Sequence, residues 1–147
     1  MKSVIELDIN VPQARLAALF ADPANTPQWM DDLERYEQIS GEPGTPGSTY
    51  RLVPKKGDMV FVATVISVAL PDEVRLNLDS SSVDVAVTGR FVALSPDTTR
   101  LVSEEVFTFK GAHKLFAFAA EGAIKTAHRK HMDAFKSFAE GRQSREF

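Results

Sequence analysis

Apolar and polar residues alternate along most of this chain, and the spacing changes to a helical one in two places. Near the N-terminus, Ile5, Leu7 and Ile9 fall on one face of an extended segment, with acidic residues between them. A period of two is typical of a strand with one buried face. The pattern therefore predicts a half-buried strand over residues 2–10.

Helical spacing follows this first strand. Leu16 and Phe20 lie four positions apart, and Pro12 fits the first turn of a helix. The pattern predicts two short helices within residues 12–33, of which the second carries Trp29. The glycine- and proline-rich sequence that follows, over residues 37–49, is typical of a connector.

The middle of the chain is a succession of alternating segments separated by turn sequences, such as the one that contains Gly57. These segments predict strands over residues 50–53, 59–70, 74–79, 83–94 and 100–110. No helical pattern interrupts them, which favours an antiparallel meander.

The second helical pattern predicts one long helix within residues 111–141. Ile124, His131 and Phe135 share one face, and charged residues such as Lys125 and Arg129 occupy the other. A helix that lies across a strongly bent antiparallel sheet encloses an apolar hollow. The order of elements therefore predicts a container for a small ligand.

Composition narrows the class of protein. The 147 residues predict one domain, residues 1–147, with a net charge of −3 and no cysteine. This charge argues against nucleic-acid binding, and the absence of cysteine excludes disulfides and thiolate metal sites. No apolar stretch reaches the length of a membrane span. We expect a cytoplasmic protein, a monomer or weak homodimer, without a cofactor.

Small side chains on the long helix suggest where the hollow lies. Ala117, Ala120, Ile124 and Ala127 fall on the inward stripe. They allow either close contact with the sheet or empty space beneath the helix, and the Val- and Leu-rich strands favour empty space. The residues predicted to bind the ligand are Trp29, Tyr50, Leu76, Val85, Val87, Phe107, Ala120, Ile124, Ala127 and His131.

Two histidines and one glutamate are candidates for chemistry. His128 and His131 lie three positions apart and project from one helical face. Glu105 faces inward if Leu101 and Phe107 do, and faces solvent in the opposite register. An inward Glu105 beside either histidine would form an acid/base pair. A zinc site is not predicted, because no second segment offers the remaining ligands.

Trp29 and Tyr50 are predicted to flank the mouth of the cavity, beside the glycine-rich connector. Ordinary core packing is the alternative role for both side chains. Tyr50 could contribute its hydroxyl group to a ligand, whereas its alternation with Leu52 is also typical of simple burial.

The whole chain resembles the START-like (SRPBCC) superfamily, which has the helix-grip fold of the Bet v 1 allergens. Within it, the chain is similar to the polyketide cyclase/dehydrase and lipid-transport group. The resemblance rests on the helix after an alternating first strand, Asp22-Pro23, Trp29, the Gly44-x-x-Gly47 connector and the Ala/Phe pattern of the last helix. It implies an α+β fold in which a seven-stranded curved antiparallel sheet wraps around a long C-terminal helix.

The resemblance leaves two functional hypotheses open, since this fold serves many functions. The first is a module that binds a small hydrophobic or amphipathic ligand, such as a lipid, a quinone or a polyketide-like aromatic. The second is a cofactor-free cyclase or dehydratase that uses Glu105 with His128 or His131 as acid and base.

Overall fold

The computed structural model describes residues 1–145, with side chains through Arg142. One seven-stranded antiparallel sheet has the strand order β1-β7-β6-β5-β4-β3-β2. Its strands are β1 (Lys2–Ile9), β2 (Leu33–Ser40), β3 (Thr49–Pro54), β4 (Phe61–Ala69), β5 (Glu73–Asp79), β6 (Val83–Ser95) and β7 (Thr98–Phe109). The helices are α1 (Gln13–Ala21), α2 (Thr26–Trp29) and α3 (Glu121–Arg145).

The helices α1 and α2 connect the two edges of the sheet. β1 and β2 are its edge strands, so the chain must cross one face between them, and β2 to β7 then follow as hairpins. The long helix α3 contacts β1 and α2 on this same face. The α+β helix-grip architecture expected from the sequence is confirmed.

An aromatic cluster fixes α3 to the rest of the fold. Phe135 is fully buried and lies edge-on to Phe20 of α1 and Trp29 of α2, at ring-centroid distances of 5.3 and 5.2 Å. Phe20 in turn meets Phe91 of β6 at 5.5 Å. Such edge-to-face pairs add to the free energy of apolar burial. They hold the C-terminal half of α3 close to the sheet.

Gly89 makes this close approach possible. A Cβ atom built at this position of β6 would lie 3.2 Å from the Phe20 ring, which is closer than ordinary van der Waals contact. The missing side chain therefore leaves the space that Phe20 occupies.

Two elements differ from the sequence expectation. The strand β2 occupies residues assigned to the second short helix and the connector. Its apolar residues Leu33, Tyr36 and Ile39 are spaced by three rather than two, and register shifts interrupt its pairing with β3 near both ends. In addition, α3 begins only at Glu121, and residues 111–120 form two 3-10 turns that Ala117 joins. Ala117 and Ala120 therefore precede the α-helix.

Candidate functional site

A cavity of about 240 Å³ opens between the first turns of α3 and the strands. Ile124 and Ala127 form its helical wall, and Val85 and Phe107 belong to its sheet wall. Eleven of the fifteen residues that line it are apolar, so most of a bound molecule would meet hydrocarbon. The polar residues on the wall are Asp32, Glu105, His128 and His131.

A second cavity of about 90 Å³ lies deeper in the fold, beside the aromatic cluster. The two cavities adjoin, since both are lined by Met30, Leu52, Leu78, Glu105 and His131. Ligand pockets in proteins typically have ~300 Å³ or more, lined by apolar side chains with few polar groups. The outer and inner cavities together reach this size, and Glu105 and His131 lie where the two cavities meet.

Glu105 is the most unusual group on this wall. It lies on β7 opposite Ser3 of β1, in the register that points into the cavities, and its side chain is 17% exposed. Among the described residues the carboxyl group has no hydrogen-bond donor. Burial raises its pKa to about 7, against a smaller lowering by His131. The carboxyl group is therefore partly protonated at neutral pH.

The hydrogen bonds of His128 indicate a structural role rather than a catalytic one. Its Nδ1 lies 2.8 Å from the Ser3 hydroxyl oxygen and its Nε2 lies 2.9 Å from that of Ser103, with the ring completely buried. Burial lowers the pKa of the imidazole to about 4, and the charges of His131 and Arg129 act in the same direction. Glu105 Oε1 is 3.7 Å from Nδ1, beyond hydrogen-bond distance. His128 thus stays neutral and joins α3 to β1 and β7.

His131 is the histidine available to the cavities. It lines both of them, its side chain is 22% exposed, and its Nε2 lies 3.0 Å from Asp32 Oδ2. A carboxylate hydrogen-bonded to one ring nitrogen fixes the orientation of the imidazole. Asp32 therefore positions His131 on the same wall as Glu105.

The aromatic candidates divide between two environments. Trp29 lines the inner cavity, and its buried Nε1 has no hydrogen-bond acceptor within residues 1–145. Tyr50 lines neither cavity. Its hydroxyl oxygen accepts a hydrogen bond from the Gly44 amide at 2.8 Å, and its ring stacks on Tyr36 at 5.3 Å. Tyr50 thus holds the glycine-rich connector against the sheet.

Eight of the ten ligand-binding candidates line the two cavities. Val85, Phe107, Ile124 and Ala127 belong to the outer one, Trp29, Leu76 and Val87 belong to the inner one, and His131 belongs to both. Tyr50 and Ala120 line neither. Ala120 is set apart because it lies in a 3-10 turn before α3 begins.

Several residues of the site have no marker in the sequence pattern. Asp32 immediately precedes β2 and Tyr36 lies within it, and the sequence pattern does not predict this strand. Met59 of the β3–β4 connection and Phe61 at the start of β4 border the outer cavity. Burial raises the pKa of the Tyr36 phenol to about 12, so that its hydroxyl group stays neutral. Only the alternation of Ser3 with Ile5 could have marked Ser3 as inward-facing.

No three His, Asp or Glu side chains among the described residues are grouped closely enough to hold a metal ion. Within the same residues, no helix has the length and apolar character that crossing a bilayer requires.

Solved structures similar to this chain share its fold. An aromatase/cyclase from a Streptomyces species superposes with a TM-score of 0.81 at 14% identity, covering 97% of this chain and 94% of that one. A norcoclaurine synthase point mutant from Thalictrum flavum, in complex with a transition-state analogue, gives 0.74 at 17% identity and covers 97% of both chains. A START superfamily protein from Mycobacterium smegmatis gives 0.73 at 16% identity over 99% of both chains.

At the sequence level, no curated protein shows significant similarity to the chain. One family does match, over residues 2–140, and its description is polyketide cyclase / dehydrase and lipid transport.

Proposed function

We propose that this chain, which belongs to the polyketide cyclase / dehydrase and lipid transport family, binds a small hydrophobic or amphipathic molecule between its sheet and α3. The observation that carries the proposal is the pair of adjoining cavities, which are largely apolar and have Glu105 and His131 at their junction. Burial of ligand hydrocarbon, at ~25 cal/mol per Å², would drive binding. A lipid, a quinone or a polyketide-like aromatic fits this description.

The polar groups orient the bound molecule. The indole N–H of Trp29 is a buried donor without an acceptor among the described residues. Protonated Glu105 is a second, partly buried donor on the cavity wall. Buried donors are nearly always paired in proteins. A carbonyl or hydroxyl oxygen on the ligand would satisfy one of them, while the apolar body fills the outer cavity.

Native mass spectrometry and solvent extraction of the purified protein test this function. We expect a co-purifying apolar compound, and Ala127→Phe should reduce its amount because Ala127 lies on the outer cavity wall. Thr126→Phe is the matched control, since Thr126 is exposed one position away and lines neither cavity. Equal retention in both variants, or no apolar compound and no binding of an added one, would contradict the proposal.

A second candidate function is acid/base catalysis on a bound ketone. It is favoured by the pKa of Glu105, which burial raises to about 7, and by the adjacent His131. A carboxyl group with a pKa near the working pH can take up a proton at one step and return it at another. His128 is not proposed as a partner, because serine hydroxyl groups occupy both of its ring nitrogens.

Hydrogen exchange on a probe ketone tests the catalytic alternative. In deuterated water, ionised Glu105 would remove an α-proton from bound 2-tetralone, and the resulting enolate would take a deuteron from solvent at the same carbon. We expect the rate, followed by NMR, to rise with pH through about 7 and to be lost in Glu105→Gln. An unchanged rate in this variant, or no exchange above the buffer rate, would leave ligand binding as the function.

A further inference from the structure

The most exposed large apolar side chains belong to one short segment. Leu115, Phe116 and Phe118, in the 3-10 turns before α3, are 76%, 65% and 83% exposed. The other exposed large apolar residues among those described range from 38% to 49% and are spread over several strands and loops. Three such side chains within four positions form a surface that is costly to leave in water.

Basic residues accompany this segment. Between Lys110 and Asp133 the sequence has five Lys or Arg residues and two acidic ones, in a chain with a net charge of −3. Lys125 and Arg129 pair with Glu121 and Asp133 on α3. Lys114 and Lys130 are exposed, and neither has a carboxylate within 4.0 Å among the described residues. The segment is therefore locally cationic.

The same segment immediately precedes the part of α3 that borders the outer cavity. It leads directly into the first turns of α3, where Ile124 and Ala127 form the helical wall. Met59 lies on the wall contributed by the β3–β4 connection and is itself 42% exposed, with Val60 beside it at 38%. Exposed apolar groups thus occur on two elements next to one opening.

We propose that this face, formed by Leu115, Phe116 and Phe118 with the neighbouring lysines, docks onto an anionic phospholipid bilayer. Side chains of Phe and Leu partition into the boundary between headgroups and acyl chains, and lysines next to them are attracted by anionic headgroups. Docking in this way places the opening of the cavity toward the lipid. The proposal does not require that the cavity contain a ligand.

A second copy of the chain fits this face less well. In a two-fold dimer the same patch lies on both sides of the interface. The cationic segments would then meet each other, which is unfavourable, whereas an anionic lipid surface supplies the complementary charge.

Co-sedimentation with vesicles tests the proposal. The intact protein should bind vesicles that contain phosphatidylglycerol, bind phosphatidylcholine vesicles much more weakly, and be released from the former by salt. The double variant Phe116→Ser/Phe118→Ser should bind these vesicles at least about tenfold more weakly, because two aromatic groups no longer insert. The control variant Ile66→Ser/Val92→Ser removes apolar side chains that are 46% and 49% exposed on the strands, and should bind as the intact protein does.

Circular-dichroism melting of all variants checks that each one is folded, and size-exclusion chromatography with light scattering measures the oligomeric state. Three results would overturn the proposal: no binding of intact protein to anionic vesicles, equal loss in both double variants, or a dimer that only Phe116→Ser/Phe118→Ser dissociates. Ala127→Phe separates this proposal from the cavity function. It should lose the co-purifying compound and still bind vesicles.

Discussion

At the scale of single residues, burial raises the pKa of Glu105 and lowers the pKa of His128. The two groups therefore make the stability of the fold depend on pH in opposite directions. The folded protein holds Glu105 protonated up to a pKa of about 7, whereas an unfolded glutamate has a pKa near 4.5. Ionising the buried carboxyl group therefore costs stability as pH rises from 4.5 through 7. The folded protein keeps His128 neutral down to about pH 4, so stability is lost as pH falls below 6.5 toward that value.

Glu105→Gln should remove the first of these two effects. The variant has no carboxyl group to ionise, so we expect it to be more stable than the parent at pH 8, by on the order of 3 kcal/mol for a shift of this size. The advantage should shrink as pH falls and disappear near pH 4.5. Urea unfolding of both proteins at several pH values measures the difference. A difference that does not change with pH would show that Glu105 is not buried as described.

The orientations of Glu105 and His128 depend on contacts between residues that are distant in the sequence. The period of two along β7 gave Glu105 two possible orientations, and only the pairing of β7 with β1 selects the inward one. The hydrogen bonds of His128 join Ser3 and Ser103 to a helix that lies far away in sequence from Ser3. No local pattern contains such a contact. Spacing alone therefore allows an acid/base pair of Glu105 with His128, which the structure does not form.

At the scale of elements, the contact of α1 with β6 depends on the absence of a side chain. Phe20 lies against Gly89, and its ring is also held by Phe91, Phe135 and Trp29. Gly89→Ala would bring a methyl group 3.2 Å from a ring that cannot move away. We expect a loss of about 1–3 kcal/mol in the free energy of unfolding, as for other overpacked cores.

The Gly89→Ala prediction can be checked by thermal and urea unfolding. Ala86→Gly is a useful comparison, because Ala86 is an exposed residue of the same strand and the change lacks any effect on Phe20. It should cost only the small backbone penalty of glycine. If Gly89→Ala is as stable as the parent, α1 can shift along the sheet, and the aromatic cluster is less rigid than its packing indicates.

Most elements have regularly spaced apolar residues and are predicted from the sequence, whereas the elements with irregular spacing are not. β1, α1 and the hairpins from β3 to β7 have regular patterns, so the sequence predicts them well. The pattern does not predict β2, because the apolar residues of this strand lack the period of two and its pairing with β3 has two register shifts. Residues 111–120 read as helix because they are rich in Ala and Phe, whereas the structure breaks them into 3-10 turns with the aromatic side chains in solvent.

At the scale of the whole molecule, the predicted hollow depended on the order of elements rather than on any motif. A sheet that bends around one helix leaves space where the helix carries small side chains, and Ala127 and Ile124 do border the outer cavity. The wall that Asp32 and His131 contribute to the outer cavity was less predictable. It arises where α2, β2 and α3 meet, and these elements must all be positioned before that wall exists.

The protonation of Glu105 should also control ligand binding. If the ligand presents a carbonyl oxygen to this carboxyl group, only protonated Glu105 can donate the hydrogen bond, so affinity should be highest below pH 7. Above that pH the apparent affinity should fall by up to about tenfold per pH unit, as the protonated fraction falls. Glu105→Gln keeps a donor and should make the affinity for the same ketone nearly independent of pH. Calorimetric titration with 2-tetralone measures this, and an affinity of the parent protein that does not fall above pH 7 would show that Glu105 does not donate a hydrogen bond to the ketone.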